Sequence, residues 1–317
     1  MWLSILYFCF GLALLIWGAD MLVDGASKLA QRLRISELVI GLVIVAFGTS
    51  MPEFVVSLSA SLKDANDIAI ANVVGSNIFN LLFILGIAGI IFPMTVNKSI
   101  IQVDLPTSVL GALILLGAGL LAPMASSPYT ISWGEGLLML IVFIIYMSYV
   151  VIMAMKDRKQ SVGTETKHIN VWWAIALIIV GLICLVFGGN LLVDNAIELA
   201  EYWGMSEKFI GITIVAMGTS LPELATSVVA AVKRKDDIAI ANVVGSNVFN
   251  ILFIIPICSF FNPLTYSVKF NYDIMFLVAA SVIFWLFTFK NRQQGRVCSV
   301  VLLLLYVLFT IYTVMQG

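Results

Sequence analysis

The sequence is poor in charge: only 11% of its 317 residues are Asp, Glu, Lys or Arg, whereas a soluble domain carries about 25%. Apolar residues make up 61% of the chain. With a formal net charge of −1, the chain also lacks the basic surface that nucleic-acid binding requires. These shortages exclude an ordinary soluble domain and predict that lipid is the main solvent of the folded chain.

Histidine and cysteine are also scarce. The one histidine, His168, falls in a polar stretch, and the four cysteines lie singly in apolar runs without CxxC spacing. Such cysteines are typically buried as small apolar side chains. The sequence therefore predicts no disulfide framework, no zinc or copper centre and no resident cofactor.

Long apolar runs, by contrast, fill the chain. A helix needs about 20 mostly apolar residues to cross roughly 30 Å of hydrocarbon. The runs between polar breaks predict an all-α membrane protein with ten transmembrane helices, at residues 2–28, 37–62, 68–92, 104–122, 132–155, 170–199, 207–232, 238–261, 271–289 and 297–315.

The chain contains an internal repeat. Residues 41–86 and 211–256 align without a gap at a constant offset of 170, and both contain the stretch DIAIANVVGSN. The match extends weakly upstream, where the two copies carry acidic or amide residues at the same offset: Asp20 and Asp24 face Asn190 and Asp194. Chance does not produce such a pattern.

The repeat divides the chain into a first five-helix repeat at 1–155, a linker at 156–170 and a second five-helix repeat at 171–317. Because an odd number of helices separates the two starts, equivalent helices cross the membrane in opposite directions. Inverted repeats with interrupted helices typically bind substrate at their interface near the bilayer midplane. This arrangement also favours alternating access.

Lysine and arginine are distributed unevenly among the predicted loops. With ten spans, 14 of the 17 basic residues fall on one side, and only Lys63, Lys208 and Lys269 fall on the other. Cytoplasmic loops carry the excess of positive side chains. The distribution therefore predicts a protein of the cell (inner or plasma) membrane, with its N-terminus outside and its central linker in the cytoplasm.

Two acidic residues interrupt the apolar helices at equivalent positions. Glu53 and Glu223 each follow a proline in Gly-Thr-Ser-x-Pro-Glu, and an ionised carboxylate in hydrocarbon costs several kcal/mol unless something offsets it. Pro52 and Pro222 are expected to break their helices because proline lacks an amide donor and clashes with the preceding turn. The breaks should release carbonyls four to six residues before each proline, which then need a cation, water or another donor.

Further oxygen-bearing side chains accompany the glutamates. Helical spacing places Thr49 and Ser50 on the face of Glu53, and a polar stripe runs along the next helix. The candidate cation-binding side chains are Glu53, Glu223, Thr49, Ser50, Thr219, Ser220, Ser76, Ser246, Asn80 and Asn250.

These candidate ligands are all oxygen donors, which suit a hard cation such as Ca²⁺. The two glutamates together carry a charge of −2, which one Ca²⁺ or two Na⁺ would neutralise. The two cargos would then exclude each other, and an empty site would be costly to move through the low-dielectric core.

The motifs GTSMPE and GTSLPE, followed by GSNIFN and GSNVFN, resemble the two alpha repeats (41–86 and 211–256) of the sodium/calcium exchangers in the calcium/cation antiporter superfamily, prokaryotic type. The resemblance covers essentially the whole chain. It implies an antiporter, not an enzyme, that exchanges three Na⁺ for one Ca²⁺. It also implies a site of two central carboxylates, two metal-binding threonines and two backbone carbonyls: Glu53, Glu223, Thr49, Thr219, Ala46 and Ala216.

Two departures and three alternatives remain. Asn250 stands where potassium-dependent relatives carry Asp, which disfavours potassium coupling, and the short linker lacks the calcium-sensing domains of animal exchangers. The same carboxylates would also serve a calcium/proton antiporter, and a passive cation channel stays open. An intramembrane hydrolase with Ser50 or Ser220 as nucleophile lacks a buried His or Lys as base. The expected partners are Ca²⁺, Na⁺ and the lipid bilayer, with no nucleic acid and no obligatory protein partner.

Overall fold

The computed structural model describes residues 2–121, 130–160, 170–205 and 216–316, most of which are helical. The helices are α1 (Trp2–Leu33), α2 (Glu37–Thr49), α3 (Met51–Leu62), α4 (Asp67–Ile91), α5 (Ile100–Leu120), α6 (Trp133–Gln160), α7 (Val171–Tyr202), α8 (Ala216–Gly218), α9 (Leu221–Val232), α10 (Asp236–Phe261), α11 (Phe270–Phe289) and α12 (Arg296–Gln316). Four two-residue strands lie between them: β1 (Met94–Thr95), β2 (Thr130–Ile131), β3 (Leu264–Thr265) and β4 (Gln293–Gln294).

Within these described ranges, eight helices are long and apolar enough to cross a membrane, and the bent pair of α2 and α3 adds a ninth span. The tenth predicted span, 207–232, is described only from Ala216 onward. The ends differ from prediction by a few residues. In particular, α6 continues to Gln160, inside the predicted linker, because Arg158 and Lys159 in its last turn interact favourably with the negative end of the helix dipole.

Each proline breaks its helix as predicted. The axes of α2 and α3 differ by 46°, and the residue at each break leaves helical geometry, Ser50 at φ −84° and ψ 7° and Ser220 at φ −90° and ψ 7°. Pro52 and Pro222 lie in the first turn of the following helix, where a missing amide costs no intrahelical bond. The two glutamates therefore stand at the beginning of new helices.

The first helices of the two halves, α1 and α7, pack along glycines in opposite directions. Gly11 lies next to Leu192, and Gly18 lies next to Leu185. A Cβ added to Gly18 would lie 2.8 Å from the carbonyl oxygen of Gly181, so only small residues permit this approach. Residue numbers therefore rise along α1 while those of its contacts on α7 fall. The two helices are antiparallel, as expected of inverted repeats.

The halves also exchange their last helices. Strand β1 pairs with β4, and β3 pairs with β2, so each strand joins one half to the other. Helix α12 packs against α4, and α6 packs against α10. Consequently α4 and α10 lie at the centre of the molecule, where each is in contact with both halves.

Candidate cation site

The two glutamates face each other across the interface of the repeats. Both are fully buried, and their carboxylates are close enough to interact electrostatically. The Ser50 hydroxyl donates to Glu223 Oε1 at 2.8 Å, and the Ser220 hydroxyl donates to Glu53 Oε1 at 2.8 Å. Each serine therefore serves the glutamate of the opposite repeat, whereas helical spacing alone predicted that it would share a face with its own.

Threonines and asparagines brace this arrangement. Thr49 Oγ1 donates to Asn242 Oδ1 at 3.1 Å, and Thr219 Oγ1 donates to Asn72 Oδ1 at 3.5 Å. Asn242 Nδ2 in turn donates to the backbone carbonyl of Glu223 at 3.2 Å. In the first repeat, Asn72 Nδ2 donates to the backbone carbonyl of Glu53 at 3.3 Å.

The two bracing asparagines were absent from the predicted site, as were their hydroxyl acceptors. Asn72 Nδ2 donates to Ser57 Oγ at 3.0 Å, and Asn242 Nδ2 donates to Ser227 Oγ at 2.9 Å. Both asparagines lie inside the identical stretch DIAIANVVGSN. That identity was the signal that could have found them.

Four more asparagines cross at the centre, between α4 and α10. Asn77 Nδ2 donates to the Asn247 carbonyl at 3.1 Å, and Asn247 Nδ2 donates to the Asn77 carbonyl at 3.2 Å. The amide nitrogens of Asn80 and Asn250 donate to the side-chain oxygens of Asn247 and Asn77. The donors of Asn80 and Asn250 are thus used, and their oxygens stay available.

The candidate site contains a set of buried oxygens without a partner. Two are carboxylate oxygens, one is a hydroxyl and two are amide oxygens: Glu53 Oε2, Glu223 Oε2, Ser76 Oγ, Asn80 Oδ1 and Asn250 Oδ1. All five belong to residues that the sequence predicted as ligands. Buried polar atoms are rarely left unpaired, because the desolvation cost is large. A bound cation would satisfy all of these acceptors.

The donor chemistry fits a hard cation. No group of three His, Cys, Asp or Glu side chains suited to a metal is found among the described residues, so any ion would rely on two carboxylates with hydroxyl, amide and carbonyl oxygens. Flexible oxygen coordination of this kind is typical of Ca²⁺ sites. The expectation that the break releases the Ala46 carbonyl is wrong, because the Ser50 amide still donates to it at 3.1 Å, and Ser246 Oγ donates to it at 3.4 Å. Ala216 begins α8 beside the second break.

Two cavities approach the site from one face of the molecule. We call the face that carries Lys233, Arg234 and Lys235 the basic face, and the other the opposite face. A cavity of ≈ 440 Å³ lies between α3 and α7 and extends to Thr219. A second cavity of ≈ 200 Å³ lies between α4, α11 and α12 and is lined by Gly75 and Asp273.

The cavities lie towards the opposite face. The wall of the first cavity includes the parts of α3 and α7 that lead to Lys63 and Tyr202, which lie away from the basic loops. The wall of the second includes Phe270 at the start of α11 and Thr313 near the end of α12, on the same side. On the basic face α9 packs against α1, and α10 packs against α2. A cavity of ≈ 390 Å³ on the basic face is lined by Arg32, Arg34 and Arg158 and includes no candidate ligand. Among the described residues, the site is therefore approached by cavities from the opposite face and is covered by packed helices towards the basic face.

Inverted repeats, broken helices and a buried cluster of unpaired oxygens define a membrane transporter. Residues 3–152 and 173–315 match the family described as sodium/calcium exchanger protein, and the chain belongs to that family. It is therefore a transporter and not an enzyme.

Relatives of known name support this placement. The chain is 32% identical to the sodium/calcium exchanger MaX1 of Methanosarcina acetivorans over 95% of both chains. It is 24% identical to the Ca(2+)/H(+) antiporter ChaA of Bacillus subtilis over 86% of this chain and 82% of ChaA. A solved structure of the sodium-calcium exchanger NCX_Mj superposes with a TM-score of 0.79 at 33% identity, over 96% of this chain and 97% of the other.

Proposed function

We propose that the protein exchanges Na⁺ for Ca²⁺ across the membrane by alternating access, with Glu53 and Glu223 as the central ligands. The observation that carries the proposal is the set of five unpaired buried oxygens, to which each repeat contributes a glutamate and an asparagine. The names of MaX1 and NCX_Mj support sodium and calcium as the cargo pair.

The charge of the site supplies the coupling. Two ionised glutamates in a fully buried position are costly without counter-charge, because the low-dielectric interior penalises isolated ions. One Ca²⁺ or a set of Na⁺ ions offsets that cost, and the two compete for the same oxygens. The protein with an empty site therefore changes slowly between its two open states, so net cation flux requires exchange of one cargo for the other.

The remaining candidate residues have supporting roles in this proposal. Ser50 and Ser220 orient one oxygen of each carboxylate so that the other oxygen faces the ion, and Thr49 and Thr219 add hydroxyl oxygens. Ser76, Ser246, Asn80 and Asn250 complete the shell with the backbone oxygens of Ala46 and Ala216. The distribution of basic residues supports a cell membrane with the basic face in the cytoplasm.

Transport by purified protein in vesicles tests the proposal. An outward sodium gradient at equal pH on both sides should drive uptake of radioactive calcium, and Glu53→Gln should abolish it. Glu198→Gln, which alters an exposed glutamate on α7, is the matched control. If calcium does not respond to a sodium gradient, the sodium coupling is wrong.

A calcium/proton antiporter is the second candidate, supported by the name of the relative ChaA. The unpaired oxygens Glu53 Oε2 and Glu223 Oε2 would then carry protons in place of sodium. A pH gradient without sodium would drive calcium uptake in that case and would leave it unchanged in the sodium exchanger. Choline in place of sodium, at matched ionic strength, separates the two.

A further inference from the structure

Lys233, the residue that follows α9, joins that helix to α1 on the basic face. Its Nζ lies 2.6 Å from Asp20 Oδ1 and 2.6 Å from Asp24 Oδ1, and it donates to the Asp20 carbonyl at 3.3 Å. Burial lowers the pKa of Lys233, but the two aspartates outweigh that effect and raise it above the ordinary value. The lysine is therefore charged at neutral pH, and it fastens the second broken helix to the first half.

The repeat contains the same three positions on the opposite face. At the offset of 170, Lys63 follows α3, and Asn190 and Asp194 occupy the places of Asp20 and Asp24 on α7. Among the residues that the structure describes, neither Lys63 nor Asp194 is in an ion pair. The ≈ 440 Å³ cavity separates their helices, with Asn190 and Asp194 in its wall.

From this contrast we propose that Lys233 with Asp20 and Asp24 forms a latch that closes the basic face, and that Lys63 with Asp194 forms the counterpart latch when the opposite face closes. These are positioning residues, because they contact helices and not the cation. The inference rests on the alternating access of the proposed function. It adds which side chains set the balance between the two open states.

The two latches differ in charge. At the two equivalent positions, Lys233 has two carboxylates, whereas Lys63 would meet one carboxylate, Asp194, and one amide, Asn190. The closed basic face is thus favoured over the closed opposite face, so the resting protein is mainly open towards the opposite face, as in this structure. Lys235, which lies 2.6 Å from Glu37 Oε1, adds a further contact on the basic face.

The latch is partly exposed, since the Lys233 side chain is 25% accessible and the Asp20 side chain 48% accessible. Ion pairs of this exposure change an equilibrium by a modest factor. We expect loss of the latch to change the ratio of the two open states about threefold to fivefold.

Chemical accessibility of the cavity tests the latch without any transport. In a variant with Cys9, Cys184, Cys258 and Cys298 replaced by alanine, Val193→Cys places a single thiol in the wall of the cavity. Its rate of reaction with a membrane-impermeant maleimide reports how much of the protein is open towards the opposite face. Lys233→Gln should lower this rate, but by less than the change in the ratio of the two states, because most of the wild-type protein is already open towards the opposite face. Lys63→Gln should raise the rate or leave it unchanged.

The controls separate a latch from general damage. The charge swap Asp24→Lys with Lys233→Asp should restore the rate, and Lys269→Gln, which removes a lysine from the opposite face outside the latch, should leave it unchanged. If the cysteine-free protein does not fold, hydrogen exchange of residues 229–235 in the native-cysteine protein replaces the assay, with faster exchange expected in Lys233→Gln.

An unchanged reaction rate in folded Lys233→Gln, or equal shifts in Lys233→Gln and Lys63→Gln, overturns the proposal. Because the assay contains neither a sodium nor a calcium gradient, the latch would survive a change of cargo. Exchange activity with an accessibility unaffected by Lys233 would conversely retain the proposed function and remove the latch.

Discussion

The two repeats are nearly identical at the glutamates and differ a few turns away. Around Glu53 and Glu223, each serine and each threonine finds its equivalent partner in the other half. Further out, α10 is buried at every position from 238 to 250, whereas α4 exposes Ala71 and Gly75. The candidate ligands therefore belong to the part that the repeats share, whereas the direction of opening depends on the packing around it.

The largest expected effect is the loss of calcium affinity when a glutamate of the shared site is replaced. Glu53→Gln and Glu223→Gln each remove half of the negative charge of the site, and we expect calcium affinity to fall by about 100-fold, or about 2.7 kcal/mol. Isothermal titration of the purified protein measures it. Without cations, both variants should unfold at a higher temperature than the wild type, because an uncompensated buried charge is removed.

The outcome of this pair is also a test of symmetry. Equal losses in both variants would support one shared ion between the repeats. If Glu223→Gln binds calcium normally while Glu53→Gln does not, the two carboxylates do not serve one ion, and the shared site is wrong. Glu198→Gln is again the control for an exposed carboxylate.

The equivalent glycines Gly75 and Gly245 test the difference in packing between α4 and α10. A Cβ on Gly245 would lie 2.9 Å from the Ala46 Cβ and 3.1 Å from the Leu42 carbonyl oxygen, whereas a Cβ on Gly75 would meet no atom within 4 Å. Gly245→Ala should therefore destabilise the protein by about 1–3 kcal/mol. Gly75→Ala should leave the stability of the protein unchanged or raise it. Thermal unfolding in detergent measures both.

Although Gly75→Ala should not destabilise the protein, it should slow transport. In the proposed alternating access, α4 would take the packing that α10 has here when the opposite face closes, and the methyl group of Gly75→Ala would then clash. We expect exchange to slow about tenfold while calcium affinity stays within about twofold of the wild type. Normal exchange by Gly75→Ala would show that α4 does not adopt the packing of α10.

The bracing asparagines should show a smaller difference of the same kind. Asn242 is fully buried and Asn72 is partly exposed, so an unsatisfied partner left by Asn242→Ala is the more costly. We expect a loss of about 2 kcal/mol in the free energy of unfolding for Asn242→Ala and about 1 kcal/mol for Asn72→Ala. Chemical denaturation measures these values, with Asn291→Ala in the exposed turn after α11 as control. Equal losses would indicate that water does not reach Asn72.

Much of this comparison could be predicted from the sequence because it depends on local signals. Apolar runs predicted the helices, Pro52 and Pro222 predicted the breaks, and the gapless repeat predicted which side chains are equivalent. The candidate ligands named from the sequence include all five residues that retain an unpaired oxygen at the site.

What the sequence could not predict depends on the path of the chain between halves. Helical spacing placed Ser50 beside Glu53, but the break at Ser50 turns its hydroxyl to Glu223. The exchange of α6 and α12 between halves carries no local signal, because both helices are apolar on all sides. The different exposure of Gly75 and Gly245 reflects the conformation of the protein, and two identical stretches of sequence cannot encode it by themselves.

The smallest expected effects come from two loop contacts at equivalent positions of the repeats, one a cation–aromatic contact and the other a hydrogen bond. On the basic face the Arg234 guanidinium lies 4.0 Å from the centre of the Phe92 ring. At the same places in the repeat, Asn262 Nδ2 donates to Asp64 Oδ1 at 2.7 Å. Arg234→Ala and Asp64→Ala should each cost about 0.5–1 kcal/mol in the free energy of unfolding.

Salt distinguishes these two equivalent contacts. Both involve a charge, but Arg234 interacts with an aromatic face, and the hydrogen bond of Asp64 lies in an exposed loop contact, where ions screen the carboxylate. The loss in Asp64→Ala should therefore shrink when denaturation is repeated at about 1 M salt, and the loss in Arg234→Ala should shrink less. Equal shrinkage would mean that Arg234 acts through carboxylates near it, such as Asp236, which accepts from Thr95 on the same face. The symmetry of the two loops would then be electrostatic as well as geometric.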